Sequence, residues 1–131
     1  MAKIYSLQLN HPDDVILVDC LLLNHLSQLV FDTGASNTII DYTTLLIAGF
    51  SAELKNLPTK EFETANGIIT ASEIEISRLK IFETTFKNLK IYTVDFFEKG
   101  IGNNYEGVIG LDLMKHFDIH LNFKQQQLVV Q

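Results

Sequence analysis

Along this chain apolar and polar residues alternate with a period of two more often than they recur every three or four, and β-branched and aromatic side chains fill the alternating stretches. That pattern predicts strands. Residues 4–9 and 15–23 read as the first two, separated by Asn10, His11 and Pro12; the second turns at Asn24-His25 into a third over residues 28–31. Residues 37–40 form a short extended piece. Asp41 then stands where a helical turn over residues 42–46 needs a cap, and Gly49 where it must end.

A hairpin is predicted over residues 62–71, because Asn66-Gly67 is the pair that a two-residue type I′ turn demands. Glu73, Ile74, Glu75 and Ile76 alternate cleanly, but the phase slips at Ser77-Arg78 before Leu79 and Ile81, which implies a bulge or bend. Leu89, Ile91 and Val94 belong to the next strand. The loop GIGNNYEG leads into Val108-Ile109-Gly110, and a short helix fits residues 111–117, with Asp112 in its first turn and Lys115 and His116 in its last. Phe117, Ile119, Leu121 and Phe123 alternate as a strand, and residues 128–130 make the last one. No repeat or linker interrupts the series. The expectation is one all-β domain spanning 1–131, with one or two short helices.

Composition narrows the functional classes. The chain has 131 residues, 47% of them hydrophobic and 20% charged, which is enough apolar surface for a core without staples. Its net charge is -6, with no cluster of Lys and Arg to neutralise several phosphates, so nucleic acid is excluded as a partner. The opening MAKIYSLQLN lacks the apolar run of a signal peptide, and the lone Cys20 closes no intrachain disulfide; a cytoplasmic location is expected. The longest apolar stretch, VILVDCLLL, is broken by Asp19 and falls far short of the ~20 residues that span a bilayer. No membrane role is expected.

Three weaker motifs are set aside. His116 and His120 are spaced as on a zinc-binding helix, but there is no HExxH, and the alternation places His120 in a strand facing away from its apolar neighbours. Cys20 sits in an apolar strand and reads as a small core or edge residue. GIGNNYEG lacks the spacing of a nucleotide loop. No metal or cofactor is expected.

LVFDTGAS is the informative stretch. Leu29, Val30 and Phe31 run as a strand directly into Asp32, whose carboxylate costs several kcal/mol to bury unless it is matched or shares a proton. Alone, the pentapeptide also suits a plain turn in which Asp32 accepts backbone amides. Followed by the Asn66-Gly67 hairpin and by Val108-Ile109-Gly110 before a short helix, Asp32-Thr33-Gly34-Ala35-Ser36 resembles the retropepsin-like, retroviral-type aspartic proteases over nearly the whole chain.

The resemblance implies a retropepsin-like barrel with a flap hairpin, and a catalytic dyad of two aspartates that activates one water. At about 3 Å and an effective dielectric near 20, two carboxylates repel by roughly 5 to 6 kcal/mol, so both cannot stay ionised. One keeps its proton as general acid while the other is the base, and aspartic proteases are the established example. The chain contains no second Asp-Thr-Gly or Asp-Ser-Gly. The resemblance therefore implies a homodimer with Asp32 from each subunit meeting on a twofold axis.

By the same resemblance Thr33 reaches across the axis to the other subunit's backbone, and Gly34 lets backbone approach substrate. Relatives with a hydroxyl residue at the place of Ala35 favour the charged carboxylate, so alanine implies a less acidic optimum. Ala35, Ser36, Ile109, Tyr105 and the flap residues Ala65, Asn66, Gly67, Ile68 and Ile69 are the implied substrate contacts, with apolar pockets and a polypeptide bound in extended form like an added strand. The rival reading is a catalytically silent retropepsin-like module that dimerises or binds peptides. The chain continues from Phe123 to Gln131, beyond where shorter retroviral relatives end, so the dimer sheet is expected to be built differently.

Overall fold

A computed structural model describes residues 2–11, 14–64, 67–100 and 105–131. Strands β2 (Leu17–Leu22) and β3 (His25–Phe31) pair antiparallel, with Leu22 opposite His25. The turn is therefore Leu23-Asn24 rather than Asn24-His25, and Leu23 takes a positive φ of 53° to make it. Strand β4 (Ile39–Asp41) leads into helix α1 (Tyr42–Ala48). Gly49 ends that helix at φ 111°, and its N–H bonds the Leu45 and Leu46 carbonyls. Asp41 does not cap it. Its carboxylate turns instead to the Phe96 N–H, 2.9 Å away.

Strands β5 (Thr59–Thr64) and β6 (Gly67–Ile81) form the expected hairpin. Thr64 pairs with Gly67, so Gly67 is the first residue of β6 and not the second of a two-residue turn; Ala65 and Asn66 lie outside the described residues. Strand β7 (Thr84–Val94) returns along β6 in one unbroken register, with Ile76 opposite Leu89 and Arg78 opposite Lys87. No residue is inserted, so the phase slip is not a bulge. Pairing lapses at Ser77, Asn88 takes φ 52°, and the inward face passes from Ile74 and Ile76 to Leu79 and Ile81, all four buried.

After β8 (Gly107–Ile109), helix α2 is shorter than expected, Leu111–Met114, which leaves His116 outside the helix and His120 in β9 (Ile119–Asn122). Strand β10 (Gln127–Val130) pairs with β9 and with β1 (Lys3–Ser6), giving a three-stranded sheet ordered β1-β10-β9. The remaining strands run β2-β3-β8-β4-β7-β6-β5, and β6 also pairs with β2 from Cys20 opposite Ile81 to Leu22 opposite Leu79. That pairing closes six strands into a barrel and, among the described residues, leaves β5 attached to β6 alone.

The barrel interior holds one cluster that includes Leu22, Leu29, Ile40, Ile74, Ile91 and Ile109, with Cys20 fully buried among them. Phe82 links barrel to terminal sheet, its ring centroid 5.5 Å from Tyr5 and 5.3 Å from Phe117. A second cluster, Ala71, Val94 and Phe96, gathers Phe62, Ile69, Tyr92 and Tyr105 near the base of the β5–β6 hairpin.

Candidate active site

β3 and β4 follow each other in sequence but are not neighbours, because β8 lies between them, parallel to β3 and antiparallel to β4. The chain leaving Phe31 must therefore cross the end of β8 before it can pair again. Asp32 through Thr38 make that crossing. The Asp32 N–H donates to the Ile109 carbonyl at 3.1 Å, while Leu111 and Asp112 N–H groups donate to the Ala35 and Ser36 carbonyls at 2.8 and 3.2 Å.

The crossing also explains Val108-Ile109-Gly110. Ile109 is fully buried, and a Cβ on Gly110 would stand 2.7 Å from the Asn37 carbonyl carbon and 2.8 Å from the Ala35 oxygen. Backbone passes over backbone there, so only glycine fits.

Within the loop, Asp32 Oδ1 accepts the Gly34 N–H at 2.8 Å. This is the plain turn bond the pentapeptide permits, and it fixes the carboxylate's orientation. In the single chain Asp32, Thr33, Gly34 and Ser36 are exposed and Ala35 is half-buried, so the end of this strand presents its carboxylate at the surface instead of burying it. Beside it lies a cavity of about 450 Å³ walled by Leu9, Val15, Ile16, Val30 and Phe123. Asp14 stands at the same cavity; the His11 and Asn10 N–H groups that its carboxylate accepts hold its carboxyl below the usual range.

The other expected contacts are distributed differently. Ile109 lies in the main core and meets Asp32 through its carbonyl oxygen, so its side chain has no face left for substrate. Ile68 is exposed, Gly67 is the first residue of β6, and Ile69 and Tyr105 pack against the same Ala71-Val94-Phe96 cluster. The structure thus brings Ile69 and Tyr105 together.

Two polar devices escaped the sequence reading. Thr38, fully buried, accepts the Gly110 N–H at 3.1 Å and donates its hydroxyl to Asp112 Oδ1 at 2.7 Å; its own N–H donates to Asp112 Oδ2 at 2.9 Å. Asp112 reads in sequence only as a helix-dipole residue. Glu106 Oε1 accepts the Gln28 N–H at 3.1 Å, and Oε2 lies 3.4 Å from both the Thr44 hydroxyl and His25 Nε2.

The family model described as aspartyl protease matches residues 24–113, which takes in the Asp32 loop and the β8–α2 crossing, and the chain belongs to that family. Its fold is retropepsin-like. It is similar to a retropepsin-like aspartic protease from Rickettsia conorii at 21% identity and a TM-score of 0.72, covering 99% of this chain and 89% of that one. It is also similar to the retroviral protease-like domain of Ddi1 from Leishmania major at 15% identity and a TM-score of 0.56, covering 89% and 88% of the two chains. No curated protein sequence matches it.

Proposed function

We propose that this chain is an aspartic endopeptidase that works as a homodimer, with Asp32 contributed by each subunit and a polypeptide bound in extended form. The carrying observation is the exposed Asp32 carboxylate, oriented by Gly34 on a loop pinned to β8 and α2 and bordered by an apolar cavity. A side chain that served only the turn has no need of an apolar surround, whereas a carboxylate facing its own copy gains one from the partner.

In the dimer one Asp32 carboxylate takes a proton from the bound water as its oxygen attacks the peptide carbonyl, and the protonated partner donates to that carbonyl oxygen. The resulting tetrahedral intermediate collapses as a proton passes to the amide nitrogen and the C–N bond breaks. Neither metal nor cofactor takes part. Thr33 would lock the two loops across the axis, and the β5–β6 hairpin would close on the substrate, with Ile68, Ile69 and Tyr105 favouring apolar side chains.

The test is incubation of wild type and Asp32→Asn with a denatured protein, with and without a statine-type inhibitor. Wild type should cleave and be inhibited, and Asp32→Asn should be inert yet still dimeric. Cleavage retained by Asp32→Asn would remove the dyad; a dimeric wild type that cleaves nothing would leave the silent module.

A further inference from the structure

We propose that Thr38 and Asp112 are positioning residues, a brace built on buried Thr38 that sets the place of the Asp32 loop for catalysis. The proposal rests on the reading of Asp32 as the catalytic carboxylate. It starts from topology: the loop has no sheet neighbour of its own and takes its position from the chain it crosses. Backbone bonds from Asp32, Leu111 and Asp112 fasten its early part. At its far end the Tyr92 N–H donates to the Thr38 carbonyl at 3.1 Å, and the Thr38 hydroxyl and N–H add the bonds that tie this end to Gly110 and Asp112.

Thr38 and Asp112 are 74 residues apart in sequence, yet two hydrogen bonds of 2.7 and 2.9 Å join them. The Gly110 N–H donates to the Thr38 hydroxyl, which donates onward to Asp112 Oδ1, and Leu113 N–H donates to the same oxygen at 2.9 Å. A hydroxyl that accepts on one side and donates on the other polarises both bonds. Three donors converge on one carboxylate, and a carboxylate is acceptor-only. An amide there must aim its NH2 at one of the donors.

Neither Thr38 nor Asp112 lines the cavity beside Asp32. Its effect is geometric, and misplacing a reacting group by about 1 Å costs on the order of 100-fold in rate. A residue that serves stability alone would, on substitution, lower the melting temperature while leaving kcat of the folded fraction intact.

The experiment compares wild type with Thr38→Ser, Thr38→Val and Asp112→Asn, reading kcat and KM on a peptide substrate and amide exchange of residues 32–36 by NMR. Thr38→Val and Asp112→Asn should lose at least about tenfold in kcat with KM within about threefold, and their residues 32–36 should exchange faster while barrel amides stay unchanged. Thr38→Ser, which keeps the hydroxyl, should restore both readouts. Wild-type kcat in the folded Val and Asn variants, or exchange at residues 32–36 unmoved, would overturn the brace. Should Asp112→Asn not fold, the contrast between Thr38→Ser and Thr38→Val decides alone. If wild type cleaves nothing, the endopeptidase reading fails, and the exchange comparison still decides whether the pair positions the loop.

Discussion

Phe62 of β5 meets Tyr92 of β7 edge to face, with ring centroids 4.7 Å apart and planes at 77°, and the Lys60 ammonium lies 5.3 Å from one centroid and 5.8 Å from the other. Because β5 pairs only with β6 among the described residues, this contact and the small cluster around Ala71 tie the hairpin to the barrel. An aromatic pair of this kind contributes about 0.5–1.5 kcal/mol beyond its buried area.

Phe62→Ala should therefore loosen the hairpin before the barrel. Amide exchange in β5 should accelerate by about tenfold while β2 and β3 are unaffected, and KM for a peptide substrate should rise more than kcat falls. Equal acceleration in β2 would mean that the contact belongs to the global core.

Concentration dependence tests the shared site directly. If each active centre needs an Asp32 from both subunits, the rate in dilute solution should rise with about the square of chain concentration and become linear once the dimer saturates. Linearity maintained down to the dissociated chain, followed by analytical ultracentrifugation, would mean that one subunit suffices.

The sequence was legible where local chemistry and global fold agree. The period-two runs, Gly49 after α1 and the order of Asp32 loop, hairpin, Val108-Ile109-Gly110 and helix all follow from side-chain pattern. The Phe82-Glu83 reversal between β6 and β7 was not legible, because both residues take positive φ, 50° and 64°, with no glycine or asparagine to announce it. Tertiary packing explains it: Phe82 lies between Tyr5 and Phe117, and that contact outweighs the turn preference. Thr38 and Asp112 were hidden for a related reason, since a bond between residues so distant in sequence leaves no local mark. The resemblance implies a substrate contact for Ile109, but Val108-Ile109-Gly110 serves the crossing, and the Ile109 side chain faces the core.

Gly110→Ala examines that crossing. The added Cβ would meet backbone atoms of Ala35 and Asn37 at 2.7–2.8 Å, and backbone cannot rotate away as a flexible side chain can. Overpacking typically costs 1–3 kcal/mol, and this site belongs at the upper end, about 3 kcal/mol, seen as a lower urea midpoint at unchanged m-value. A loss below about 0.5 kcal/mol would show that the two segments separate freely.

Cys20 gives a pH dependence of known sign. Burial pushes its thiol from 9.0 up to about 12, so the folded chain keeps its proton where the unfolded chain has lost it. The unfolded state binds fewer protons across that window, and stability must fall as pH rises through it, approaching about 1.4 kcal/mol per pH unit from this group. Lysines and tyrosines titrate in the same range, so the contribution is read as a difference from Cys20→Ala. Between about pH 8.5 and pH 10, wild type should lose about 1 kcal/mol more than Cys20→Ala in urea unfolding, and its thiol should resist alkylation until the barrel opens. Parallel stability curves for the two proteins would mean that the thiol ionises without unfolding, and that the wall between β2 and the barrel interior admits water.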